Sequence, residues 1–93
     1  MAEAFYTPRT NLAVSTEGYT VIVDPNGGIS YVDPENKIGI DTEWFSGPTL
    51  LIAIYRNSPS NKGFEGKTPQ QIDLIFNRVF KALRFLKYEY EVL

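Results

Sequence analysis

The chain contains neither cysteine nor histidine. The first absence removes disulfides and thiolate chemistry. The second removes the side chain that titrates nearest neutral pH, and with it the usual general base and most zinc or iron sites. No catalytic residue, no cofactor and no metal site is therefore expected, and the protein reads as non-enzymatic. A carboxylate pair such as Asp41 with Glu43 has nothing near it in sequence to raise a pKa, so it reads as an ordinary solvated strand edge. Long apolar runs are missing as well. None approaches the roughly 18 residues of a membrane span, so no membrane partner is expected. The opening MAEAFYTPRT lacks the basic start and apolar middle of a signal peptide, and no Asn-x-Ser/Thr acceptor occurs. Together these absences point to a cytoplasmic protein. The formal net charge is only −2, too small for a mimic of nucleic acid. It is unevenly spread: residues 1–48 hold two basic and seven acidic side chains, residues 49–93 seven basic and four acidic. An acidic first half and a basic second half can steer a charged partner or set head-to-tail self-association.

What is present is an ordinary globular composition, 43% apolar and 22% charged, in a chain of 93 residues that fits one domain over 1–93. Its strongest signal is TPQQIDLIFNRVFKALRFLK, residues 68–87. Thr68 supplies a capping hydroxyl, Pro69 stands where a missing N–H costs nothing, and Gln71 occupies the capping-box position. Ile72, Ile75, Phe76, Val79, Phe80, Ala82, Leu83 and Leu86 fall within an arc of roughly 160°, wide enough for a core-facing helix. The opposite side carries a second stripe, Leu74, Arg78, Lys81 and Phe85, at spacings of four, three and four. Either other elements of the fold, or the N-terminal segment, cover Leu74 and Phe85, or the stripe, an apolar pair bracketing two cations, binds a partner. These four residues are candidate partner-binding positions.

Strands are expected at Leu12–Ser15, Tyr19–Asp24, Ile29–Asp33 and Lys37–Asp41, joined by Pro25-Asn26-Gly27-Gly28 and Pro34-Glu35-Asn36 as turns. The segments IVDPN and YVDPE repeat at an offset of nine, which is hairpin spacing in a meander. Their carboxylates read as turn residues, because the alternating ligand spacing of a calcium loop is missing. Residues 1–11 read as a tail or edge segment, with Pro8 against a central strand. Trp44 and Phe45 stand where a strand gives way to Ser46-Gly47-Pro48. They are either a plug over one end of the core or an anchor for a partner, and both are candidate partner-binding residues. Thr49–Tyr55 (TLLIAIY) does not alternate and reads as a strand buried on both faces. Tyr88–Leu93 (YEYEVL) alternates and reads as a final strand, with Tyr88, Tyr90 and Val92 on one side. The expected fold is α+β: a mainly antiparallel four- to five-stranded meander packed on one long C-terminal helix (68–87), followed by a last strand. Five strands at roughly 4.8 Å spacing are wider than one helix of about 10 Å. The sheet must therefore curl around the helix or leave a face for something else to close.

The stretch 56–67 reads as a long surface loop. Its end, Gly66-Lys67-Thr68, echoes a phosphate-binding loop, but Asn61 stands where the first glycine belongs, Pro69 removes an N–H and Glu65 repels an anion. Two function classes remain. The first is a protein-binding module such as a small inhibitor, a phage-encoded accessory protein or an assembly subunit, whose partner is another protein or a second copy in a homodimer. The rival is a single-stranded nucleic-acid-binding protein, using its aromatics and the basic helix flank Arg78, Lys81, Arg84 and Lys87. The acidic sheet half opposes that rival, because it would repel a phosphate backbone.

Overall fold

The computed structural model describes residues 2–24 and 28–93. Pro25, Asn26 and Gly27 of the first expected turn lie outside the described residues. Strands β2 (Leu12–Ser15), β3 (Thr20–Asp24), β4 (Gly28–Val32) and β5 (Lys37–Ile40) form an antiparallel meander, and β1 (Phe5–Tyr6) adds to the edge of β2. The segment expected to be a tail or edge is thus an edge strand. A second sheet holds β6 (Thr42–Phe45), β7 (Leu51–Ile54) and β8 (Glu89–Val92), with α1 (Pro69–Phe85) between β7 and β8 in sequence. The α+β class and meander stand as expected. The difference is that residues 51–54 belong to this second sheet rather than continuing the first. β8 runs parallel to β7 because a helical crossover returns the chain to the end it started from.

The two sheets meet along residues 37–45. Ile38 and Ile40 pair with Tyr31 and Ile29 of β4. Gly39 turns the other way, its N–H and C=O exchanging bonds of 2.9 and 2.8 Å with Lys62. Two residues on, the Asp41 carbonyl accepts from the Tyr55 N–H at 3.1 Å, and the β6/β7 ladder begins. This segment therefore has β4 on one edge and β7 on the other. Alternation runs unbroken through the join: Ile38, Ile40, Thr42 and Trp44 face inward, while Lys37, Gly39, Asp41, Glu43 and Phe45 face outward. Asn61 fastens the long loop to the bend, accepting from the Asp41 N–H at 2.6 Å and donating to the Tyr55 carbonyl at 2.8 Å. The loop can close there only because Gly63 has φ +95°, and a Cβ at that position would overlap the Lys37 carbonyl oxygen.

The helix lies on the concave side. Ile75, Phe76, Val79, Ala82 and Leu83 are buried against Val21, Tyr31, Ile52 and Ile54, while Ile72, Phe80 and Leu86 pack at the margin. All eight positions of the sequence-derived arc thus contribute to the core. Both halves of the Thr68/Gln71 capping box are formed. The C-terminal end departs from the expected 87. Leu86 is the cap and Lys87 follows with φ +67°, its N–H donating to Arg84 C=O and that of Tyr88 to Leu83 C=O. This is a left-handed cap of the kind glycine normally supplies, and lysine at that position concealed the helix end from sequence reading. No described helix is long and apolar enough to cross a membrane.

Two substitutions test these joints. Lys87→Gly relieves the left-handed strain, about 1–2 kcal/mol for a side-chain-bearing residue, against glycine's larger unfolded-state entropy; a net gain of about 0.5–1 kcal/mol is expected in urea unfolding. Gly63→Ala combines a positive φ with a backbone clash and is expected to cost about 2–4 kcal/mol. An unchanged midpoint for the alanine variant would mean the loop does not need this closure.

Candidate functional site

The second helical stripe does not form one surface. Arg78 reaches back to the first sheet, donating to the Tyr31 hydroxyl at 2.8 Å, with Asp33 at 3.8 Å and its guanidinium 4.7 Å from the centre of the Tyr19 ring. Its Nε is buried with no partner among the described residues. Lys81 lies 3.4 Å from Glu3, and Glu3 also accepts from the Ser15 and Tyr19 hydroxyls. The Phe85 ring stacks on Phe5 at 5.3 Å and remains 38% exposed. The N-terminal segment thus meets two of the four stripe residues, Lys81 through Glu3 and Phe85 through Phe5, while Arg78 is held by the first sheet. Leu74 stays 51% exposed, at a shallow cleft shared with Asn36, Lys67 and Gln71. Lys67 is drawn to the Asn36 side chain rather than held toward a phosphate.

The electrostatics of this network hold its groups away from neutral titration. Burial pushes Glu3 up, but hydrogen bonds from Ser15, Tyr19 and Lys81 outweigh it and hold the carboxyl below its usual value. At Asp33 burial is likewise outweighed, by hydrogen bonds from Tyr31, Asn36 and the Glu35 N–H. Burial, reinforced by the bond to Asp33, pushes the Tyr31 hydroxyl up to about 12. Burial and the Glu3 contact push Tyr19 well above its ordinary range. The carboxylates stay charged and the tyrosines stay protonated around pH 7, so none of the four is poised to move a proton there. Arg84, a further member of the basic flank, donates to the Tyr90 hydroxyl at 2.8 Å.

Trp44 and Phe45 part company. Trp44 faces inward, half-buried, edge-on to Tyr88 at 5.6 Å, and its Nε1 is buried without a partner among the described residues. Phe45 faces outward beside Leu51 and is 46% exposed. The outward face carries more than sequence reading found. On the first sheet one ladder row reads Tyr6, Val14, Thr20, Val32, Lys37, and the next Leu12, Ile22, Ser30, Gly39, Lys62. Tyr6 is 57% and Val32 38% exposed, and Leu12, Val14 and Ile22 are half-buried, with no layer over them among the described residues. The signal was available. LAV in β2 and VIV in β3 are apolar at both parities, the same lack of alternation that marked 49–55. On the second sheet the outward rows are Phe45, Leu51, Glu89 and Glu43, Ala53, Glu91. Below them, Asp41, Tyr55, Ser58, Pro59 and Leu93 line an open cleft of about 400 Å³.

Comparison with protein families, with curated proteins and with solved structures gives no match.

The network makes stability depend on alkaline pH. Tyr31 has a folded pKa of about 12 against about 10 unfolded, so its contribution is complete below pH 10 and is lost as pH rises toward 12. Urea midpoints are expected to fall over this window in the wild type and to fall less steeply in Tyr31→Phe. Parallel curves would mean that the hydroxyl is not held as described.

Proposed function

We propose that this protein is a non-enzymatic protein-binding module that works through the outward face of its curved sheet. The observation that carries the reading is the row of apolar side chains Tyr6, Leu12, Val14, Ile22 and Val32 on a face that no element covers among the described residues. A sheet with one solvated face ordinarily alternates apolar inside with polar outside, and a contiguous apolar patch on the outer side is the mark of an interaction surface. The perturbed titratable groups add support, since all are displaced away from the range useful for acid–base catalysis at neutral pH. The helix stripe takes a smaller part than its sequence suggested, because Arg78 and Lys81 are engaged within the fold and only Leu74 and the rim of Phe85 stay open. The same engagement weighs against nucleic-acid binding: Arg78, Lys81 and Arg84 of the basic flank each have an internal partner.

Immobilised wild-type protein is expected to retain a protein from an extract of its own cells that Val32→Glu fails to retain. The thermal melt should change little, because Val32 is exposed and buries little area on folding. Equal retention by both overturns the assignment of the face.

A further inference from the structure

We infer that the partner of this surface is a second copy of the chain, docked so that the outward face of the first sheet in one copy meets the outward face of the second sheet in another. The inference rests on the protein-binding reading above and names its partner.

The two faces are built alike and charged oppositely. On the first sheet, both apolar rows end at the bend in a lysine, Lys37 in one and Lys62 in the next. On the second sheet, both rows end in a glutamate of β8, Glu89 beside Leu51 and Glu91 beside Ala53, with Glu43 at the other end of the second row. Row spacing is set by the pleat, roughly 7 Å for two residues along a strand, and is the same in both sheets. Lys37 and Lys62 lie in adjacent rows one strand apart, and Glu89 and Glu91 in adjacent rows of one strand, so the two ammonium groups can reach the two carboxylates while Val32 approaches Leu51 and Thr20 approaches Phe45. Lys37, Lys62, Glu89 and Glu91 make no ion pair within the described structure, so their charges are not already neutralised by salt bridges. Asp24, at the end of β3, is the other charged ladder position on the first face.

Pairing like with like satisfies less. Two second-sheet faces would bring three carboxylates against three, and two first-sheet faces would leave the acidic rows and Phe45 uncovered. Opposite charges across a rim with apolar side chains inside is the arrangement that steers association and fixes register. The second sheet, three strands of four residues, sets the size of the contact at roughly 190 Å², about a quarter of the area per partner of a standard interface, so the contact is expected to be weak and salt-sensitive.

The test is sedimentation of the purified full chain over a range of concentrations at low salt. The wild type is expected to gain mass with concentration, and about 0.5 M salt to weaken association about tenfold. Lys37→Glu with Lys62→Glu, and separately Glu89→Lys with Glu91→Lys, are each expected to be monomeric. An equimolar mixture of the two should associate again, which also shows that both variants are folded. Association that survives Glu89→Lys with Glu91→Lys but is lost in Val32→Glu means that first-sheet faces pair with each other, and it overturns the inference. So does a mixture that stays monomeric. A wild type that remains monomeric throughout, while still retaining a different protein through Val32, overturns the self-association and leaves the protein-binding reading standing; the loss of both results overturns both.

Discussion

Everything in this fold depends on one stretch of backbone hydrogen-bonding along both of its edges. Residues 37–45 give β4 one side and β7 with Lys62 the other, so the two ladders cannot move apart without breaking bonds at the bend. Because alternation passes through the join without a slip, every inward side chain on either side of Asp41 points to the same concave space, and a single helix fills it. This resolves the mismatch between one narrow helix and many strands: the sheet supplies the missing coverage by bending.

The helix is held from three directions by different chemistry. Its apolar arc is buried in the core. Phe80 stacks on Tyr90 of β8 at 5.0 Å, and its polar flank reaches Tyr31 of the first sheet and the adjoining Asp33 through Arg78, and Glu3 of the N-terminal segment through Lys81. Buried charge networks add little net stability, because desolvation offsets most of the Coulomb gain, whereas removing one member leaves the others stranded. The Glu3, Tyr19, Tyr31 and Arg78 cluster is thus better understood as fixing where the helix sits than as a large contribution to how firmly. Burial of side chains such as Phe76, Leu83 and Ile52, at about 1.5–3 kcal/mol each, supplies the greater part of the stability.

The local elements were legible in the sequence because their signals are local. Thr68, Pro69 and Gln71 announced the helix start, the eight-residue arc identified its core face, and Asp33 with Asn36 marked a turn that the Asp33 side chain does close. What the sequence hid was long-range. Nothing in Lys37–Phe45 announces that one strand serves two sheets, since a two-edged strand is defined by its partners rather than by its own pattern. Lys87 in a left-handed cap disguised the helix end. Arg78 and Lys81 read as candidate partner contacts because the Tyr31 and Glu3 that hold them within the fold lie at least 47 positions away in the chain. The apolar outward face was legible in LAV and VIV, but a run apolar at both parities does not say whether protein or solvent lies beyond it.

The parallel pairing of β7 with β8 carries a consequence for how the molecule assembles. The meander joins near neighbours, such as Val21 with Tyr31, while the last ladder joins Leu51 with Glu89 across the loop and the whole helix. Closing that larger span costs about 1 kcal/mol more in chain entropy than closing a hairpin, and it repays nothing until the helix has formed and turned the chain around. The first sheet is therefore the early-forming part and β8 the late one. Glu89 and Glu91, alternating along β8, suit that interval, since charged side chains on an unpaired strand oppose its pairing with others of its kind while the β7 edge is bare.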